Sequence, residues 1–141
     1  MKLKPLAIAI AAGLALSLTG CTSMPDYTEA TITAFNPWTP GVHTIWLITG
    51  SSVELTETHP GDDGLPLSNT FEYELLDRDA FYRALHRALS ANQQDICMDA
   101  VEYTVQASDQ AGQVYGNNLH QCGDQQEYIA ELLGSLDADR A

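Results

Sequence analysis

From Thr28 to Phe35 the chain alternates, with Ala30, Ile32 and Ala34 on one side and Thr31 and Thr33 on the other. A period of two marks a half-buried strand. Asn36-Pro37-Trp38-Thr39-Pro40-Gly41 interrupts it, because two prolines and a glycine punctuate a loop. Val42 to Thr49 is β-branched and aromatic and reads as a second strand. Gly50-Ser51-Ser52 turns the chain, and Val53 to Thr58 alternates again, which predicts a hairpin. His59 to Pro66 forms the longest irregular stretch. Thr70 to Leu75 then predicts a fourth strand, with Phe71, Tyr73 and Leu75 facing one way.

The period changes between Asp77 and Ser90. Phe81, Ala84, Leu85, Ala88 and Leu89 recur at helical spacing and form one apolar stripe. Asp77 suits the cap, and Asp79 suits the positive end of the helix dipole. Val101 to Ala107 alternates without a fault, Ser108 to Gly112 connects, and Gln113 to Leu119 returns as a second hairpin. Asp124 and Glu127 have the spacing of a capping box, ahead of a stripe made by Ile129, Leu132, Leu133 and Leu136. Four strands, a helix, two strands and a helix predict an α+β domain. Its architecture is an antiparallel sheet of about six strands with both helices on one face, in the order β-β-β-β-α-β-β-α.

Composition sharpens this picture in two ways. The chain of 141 residues carries 19 acids against six lysines and arginines, a net charge of −13. Such a surface repels nucleic acid and anionic lipid headgroups; it suits a salty medium or a basic partner, or serves solubility alone. Of the three cysteines, Cys97 precedes the outgoing strand of the second hairpin and Cys122 follows the returning one. The ends of an antiparallel hairpin meet, so these two predict a disulfide that clamps it.

The third cysteine lies in a different kind of segment. A basic start at Lys2 and Lys4 leads into an apolar run from Leu6 to Leu18, the pattern of an export signal. The run is shorter than the roughly 20 residues a membrane span needs. It ends in Leu18-Thr19-Gly20-Cys21. This motif resembles the lipobox of bacterial lipoproteins. The resemblance implies cleavage before Cys21, acylation of the Cys21 thiol and new amino group, and attachment to a membrane through lipid. Thr22, in place of the Asp that signals inner-membrane retention in those families, implies the outer membrane, facing the periplasm. The organisation is then a signal peptide at 1–20, a lipidated tether at 21–28, one α+β domain at 29–137 and a frayed polar tail at 138–141. Loss of Lys2 and Lys4 with the signal takes the net charge to −15.

Candidate chemistry is sparse. His43, His59, His86 and His120 show neither an i, i+4 helical pair nor an HExxH motif, and no GxSxG elbow is present. Asp62 and Asp63 lack the alternating acids of an EF-hand and read as a solvated turn or a partner contact. The sequence implies no metal and no cofactor. Trp38, between two prolines, is either an exposed anchor for a protein or a cover for the sheet edge. Arg78, Arg83 and Arg87 make a basic strip that either meets an anion or is balanced internally by Glu72, Glu74 or Asp77.

Residues 70–136 also resemble emfourin, a small bacterial inhibitor of thermolysin-like metalloproteases. The matching pieces are Glu72-Tyr73-Glu74-Leu75-Leu76-Asp77, Asp99 ahead of Tyr103-Thr104-Val105, and Leu132-Leu133. Cys97, Cys122 and the lipid motif depart from that family, and no inhibitory loop of it maps onto this chain. The resemblance implies a binding or inhibitor-like module. The expected function is therefore a non-catalytic envelope protein that contacts a protein partner through the loops bearing Trp38, Asp62 and Asp63. The alternatives are a small hydrolase of envelope material and an accessory subunit of an outer-membrane complex. Labelled palmitate should enter the wild-type protein and fail to enter Cys21→Ala; equal labelling of both would exclude the anchor.

Overall fold

The first alternating stretch becomes an interior strand. In a computed structural model, which describes residues 23–92 and 97–136, β1 spans Tyr27–Phe35 and is paired along both edges. β2 (His43–Thr49), β3 (Ser52–Pro60) and β4 (Pro66–Glu74) continue outward from one edge as a meander. α1 (Arg78–Ser90) carries the chain back across the sheet. β5 (Glu102–Asp109) and β6 (Val114–His120) then add at the opposite edge of β1, and α2 (Gln125–Leu136) closes the domain. The single sheet has the order β4-β3-β2-β1-β5-β6, and every neighbouring pair is antiparallel. The segments expected to be a signal and a polar tail, and Cys21, lie outside the described residues.

Several strand boundaries differ from the sequence reading, most of all the start of β4, which lies at Pro66 rather than Thr70. Tyr27 belongs to β1, one residue before the alternation begins at Thr28. The irregular stretch shrinks from His59–Pro66 to residues 61–65, because β3 runs to Pro60 and β4 begins at Pro66. These prolines face each other in the register. Gly61 and Leu65 are hydrogen-bonded, so the adjacent Pro60–Pro66 pair is one whose backbone groups point away from each other. Proline at such a site removes no bond between the two strands.

The register stacks the apolar positions in cross-strand rows. Leu55, Trp46, Ile32 and Val105 form one row, and Val53, Ile48, Ala30 and Ala107 form the next. All eight are buried. The helices cover this face with Phe81, Ala84, Leu85 and Ala88 of α1 and Ile129, Leu132 and Leu136 of α2. Each large side chain so buried contributes about 1.5–3 kcal/mol.

Polar contacts fix where the helices begin and end. Asp77 caps α1 by accepting the Ala80 N–H at 2.9 Å. At the other end Asn117 of β6 donates to the carbonyls of Ala88 and Ala91, at 2.8 and 3.0 Å. The Ala88 carbonyl also accepts the N–H of the capping Ala91 at 3.4 Å, and the side chain on the sheet completes the bonding of this helix end. Gln125 ties the start of α2 to the sheet by accepting the His120 N–H at 2.8 Å.

Cys97 and Cys122 are joined, with Cα atoms 6.4 Å apart and a sequence separation of 25. Replacing both with serine should lower stability by about 3.5 kcal/mol on the chain-entropy model of loop closure. Urea unfolding checks this; an unchanged midpoint would show that the second hairpin does not need its clamp.

Candidate functional site

The meander sends alternate connections to opposite ends of the sheet. Gly50, the β5–β6 turn and the start of β1 lie at one end. At the other, the row Ser68, Thr58, His43, Phe35, Glu102 and His120 leads into the connection after β1, the 61–65 turn and the disulfide. The nine residues of β1 separate the two ends by about 30 Å. The end beyond Phe35 is therefore remote from the point where the chain enters the domain.

Local turn chemistry shapes this remote end. Asn36 accepts the Trp38 N–H on its side chain at 3.0 Å and the Thr39 N–H on its carbonyl at 3.3 Å. Pro37 follows it with the fixed φ that a tight turn favours at that position. The turn projects Trp38, which is 69% exposed, while its indole N–H donates to the Asp99 carbonyl at 3.0 Å. The ring is thus both accessible and oriented. Trp38 does not cover a sheet edge, since β1 and β2 are interior strands; it faces solvent and holds the chain before β5 through its indole N–H.

Phe35 (49% exposed) and Met98 (88%) lie at the same end. A shallow groove of about 180 Å³ runs between Phe35, Pro37, Met98, Ala100 and the disulfide, with His120 and Glu102 on its wall. His120 Nδ1 is buried there with no hydrogen-bond partner among the described residues. Leu65 is exposed on the neighbouring turn, and Gly41 and Pro60 bring the two loops together.

Asp62 and Asp63 divide. Asp63 accepts the Leu65 N–H at 3.0 Å and holds its own turn, while Asp62 is exposed. Among the described residues, no group of three His, Cys, Asp or Glu side chains is placed to hold a metal ion. The histidines do not converge. His43 and His120 share a row but are separated by β1 and β5, about 14 Å at the usual strand spacing. His59 is at the β3 tip, and His86 Nδ1 is 2.8 Å from the Tyr27 hydroxyl. Two of the three arginines of the strip are paired, with acids other than those expected. Arg87 pairs with Glu131 and lies over Tyr128, and Arg78 is 4.0 Å from Asp79 and lies over Tyr82. Glu74 instead accepts from Ser51 and Ser52, which hold its carboxyl below the usual range.

Comparison with protein-family models, with curated proteins and with solved structures finds no match for this chain.

The near end is built for attachment to the core. Tyr27, the first strand residue, is buried among Tyr82, His86 and Tyr115. Its hydroxyl pKa is raised, first by burial and then by Tyr115 and Asp109. No periodicity marks this cluster, because its members come from three elements. Beside it, Asp109 closes the β5–β6 turn by accepting the N–H groups of Ala111 and Gln113 and the Tyr115 hydroxyl, each at 2.9 Å. Desolvation pushes its carboxyl up, but the hydrogen bonds outweigh it and hold the pKa below its ordinary value. A depressed carboxyl stabilises the fold above its unfolded pKa of about 3.9 and loses that contribution as pH falls through the folded value. Exchange of the Gln113 amide should therefore accelerate, relative to its intrinsic rate, on acidification below pH about 4, and Asp109→Asn should flatten this dependence. The same acid dependence in Asp109→Asn would assign it to another group.

Proposed function

We propose that this protein is a lipid-anchored, non-catalytic binding module of a bacterial cell envelope, held at the outer membrane facing the periplasm. In this reading it presents the Trp38 end of its sheet to a protein partner. One observation carries the reading: Trp38 is held by Asp99 yet remains 69% exposed, at the end of the sheet where exposed Phe35 and Met98 line one groove. Oriented aromatic side chains contribute most of the affinity in many protein interfaces, and they lose little conformational freedom on binding. Contiguous exposed apolar side chains also mark contact sites more often than plain surface.

The placement of the two ends supports the same reading. The tether enters at Tyr27, and the apolar cluster lies about 30 Å away along β1. A partner in the periplasm therefore meets Trp38 without approaching the bilayer. The acidic surface, at −15 for the chain from Cys21 onward, favours a partner with a basic rim around an apolar pocket. The resemblance of residues 70–136 to emfourin makes an inhibitor one form of such a module, and an accessory subunit is another.

The test is recovery of a partner from solubilised envelopes by the wild type, Trp38→Ala and Asp62→Ala, each first shown to be folded. Trp38→Ala should lose roughly 2 kcal/mol of affinity, about thirty-fold. Asp62→Ala should reduce recovery mainly at low salt, as expected of a charge at the rim. Equal recovery by all three proteins would remove this end of the sheet as the contact surface.

A further inference from the structure

The two edges of the sheet are finished differently. On β6, the ladder to β5 uses the odd residues, as the bonds Asp109 N–H to Gln113 and Gln121 N–H to Val101 show. The even residues of β6 thus point their backbone groups outward. Two of those outward N–H groups are already satisfied within the chain: Asn118 N–H donates to Asn117 Oδ1 at 3.0 Å, and His120 N–H donates to Gln125 Oε1 at 2.8 Å. The stretch of this edge from Asn118 to His120 is capped by its own side chains.

β4 has no such finish. Its bonds to β3 also use odd residues, fixed by Leu75 N–H to Ser51 at 2.8 Å and Gly61 N–H to Leu65 at 2.7 Å. The N–H and carbonyl groups of Ser68, Thr70 and Glu72 therefore face away from β3. Among the described residues no strand pairs with that side and no hydrogen bond reaches those N–H groups. β4 matches β3 over nine consecutive pairs without a bulge. It contains no Lys or Arg, and its one proline is its first residue. Lysine, interior proline and bulges are among the devices that protect an edge from pairing, and all three are missing; the charge that remains, on Glu72 and Glu74, is of one sign and repels acidic strands but not cationic ones.

The side chains of β4 select what could pair there. Ser68, Thr70, Glu72 and Glu74 project on the face away from the helices, and Leu67 and Phe71 project on the other, where they are 52% and 45% exposed. Glu72 lies directly opposite Glu54 on β3, a like-charge pair that is unfavourable by itself. Glu54, Glu72 and Glu74 line an open groove of about 570 Å³ with Leu47 and Thr49. The only described Lys or Arg side chains are Arg78, Arg83 and Arg87, all on α1.

We propose that β4 is a strand-docking edge that takes up an extended, cationic segment of a partner protein as a seventh strand. The added backbone bonds to the outward groups of Ser68, Thr70 and Glu72. Its alternate Lys or Arg side chains lie beside Glu72 and Glu74, and its intervening apolar side chains lie against Leu67 and Phe71. Main-chain bonding of this kind supplies affinity, and the alternating side chains supply selectivity. A second copy of this chain fits less well. Antiparallel self-pairing about Thr70 would point the two Tyr27 ends in opposite directions, so both lipid anchors could not enter one bilayer surface. That exclusion rests on the anchored reading proposed above; the edge itself does not.

The test uses the mature, detergent-solubilised protein and a short blocked peptide of alternating lysine and valine. A peptide with proline in place of valine has the same charge but cannot join a sheet. The lysine–valine peptide should slow hydrogen exchange at the Ser68, Thr70 and Glu72 amides and leave Asn118 and His120 unchanged. Thr70→Pro removes only an outward N–H and should weaken binding about tenfold, equivalent to one hydrogen bond. Trp38→Ala should leave peptide affinity unchanged, which separates this edge from the remote end of the sheet. Equal binding of both peptides, protection elsewhere, or unaltered affinity in folded Thr70→Pro would overturn the proposal. So would a wild-type dimer that Thr70→Pro abolishes, since a second copy would then be the occupant. Should Thr70→Pro fail to fold, the exchange pattern of the wild type decides alone.

Discussion

Ile32 is fully buried between Trp46 on one neighbouring strand and Val105 on the other. It can be so only if β1 is paired along both edges and covered on its inner face. The meander supplies one edge, the second hairpin supplies the other, and the helices supply the cover. This requirement explains the path of the chain. α1 must cross the sheet so that β5 can reach the free edge of β1, and Asn117 completes the helix where it arrives. Removing any one of these elements exposes the same row of apolar side chains to water, which ties the parts into one cooperative unit.

The same arrangement separates two tasks. Tyr27 fastens the beginning of β1 to aromatic side chains from α1 and β6, so a pull on the chain ahead of β1 is borne by the core. The opposite end is assembled from irregular segments whose backbone groups are satisfied by Asn36, Asp63 and the Trp38–Asp99 contact. Such an end tolerates exposed apolar side chains because the sheet beneath it does not depend on them. The disulfide holds the segment before β5 beside the end of β6, so Met98 and the Asp99 carbonyl sit on a fixed support.

Charge is distributed as unevenly as apolar surface. The described arginines are confined to α1, where Arg78 and Arg87 lie over tyrosine rings and pair with Asp79 and Glu131. The open face of the sheet holds carboxylates with no cation among the described residues beside them. A field of one sign on one face orients an approaching partner before contact, and salt weakens it. The acids and the exposed edge of β4 occur together, whereas Asn117 and Gln125 close the Asn118–His120 stretch of the opposite edge.

The fold class was legible in the sequence because it depends on local periodicity. Alternation at Ala30, Ile32 and Ala34 and helical spacing from Phe81 to Leu89 identify elements without knowledge of their neighbours. The Cys97–Cys122 bridge was legible for a related reason, since a short hairpin brings its own ends together. Strand ends at Pro60 and Pro66 were not, because whether proline breaks a strand depends on the side to which its missing N–H would point. The candidate site was half legible. Trp38 stood out by its prolines, but Asp99 is brought to it, and Met98 and His120 to the neighbouring Phe35 and Pro37, only by tertiary pairing of distant segments. The contrast between the two sheet edges was not legible at all. Which strands lie outermost, and which of their N–H groups a side chain from elsewhere can satisfy, is set by the order of the whole sheet.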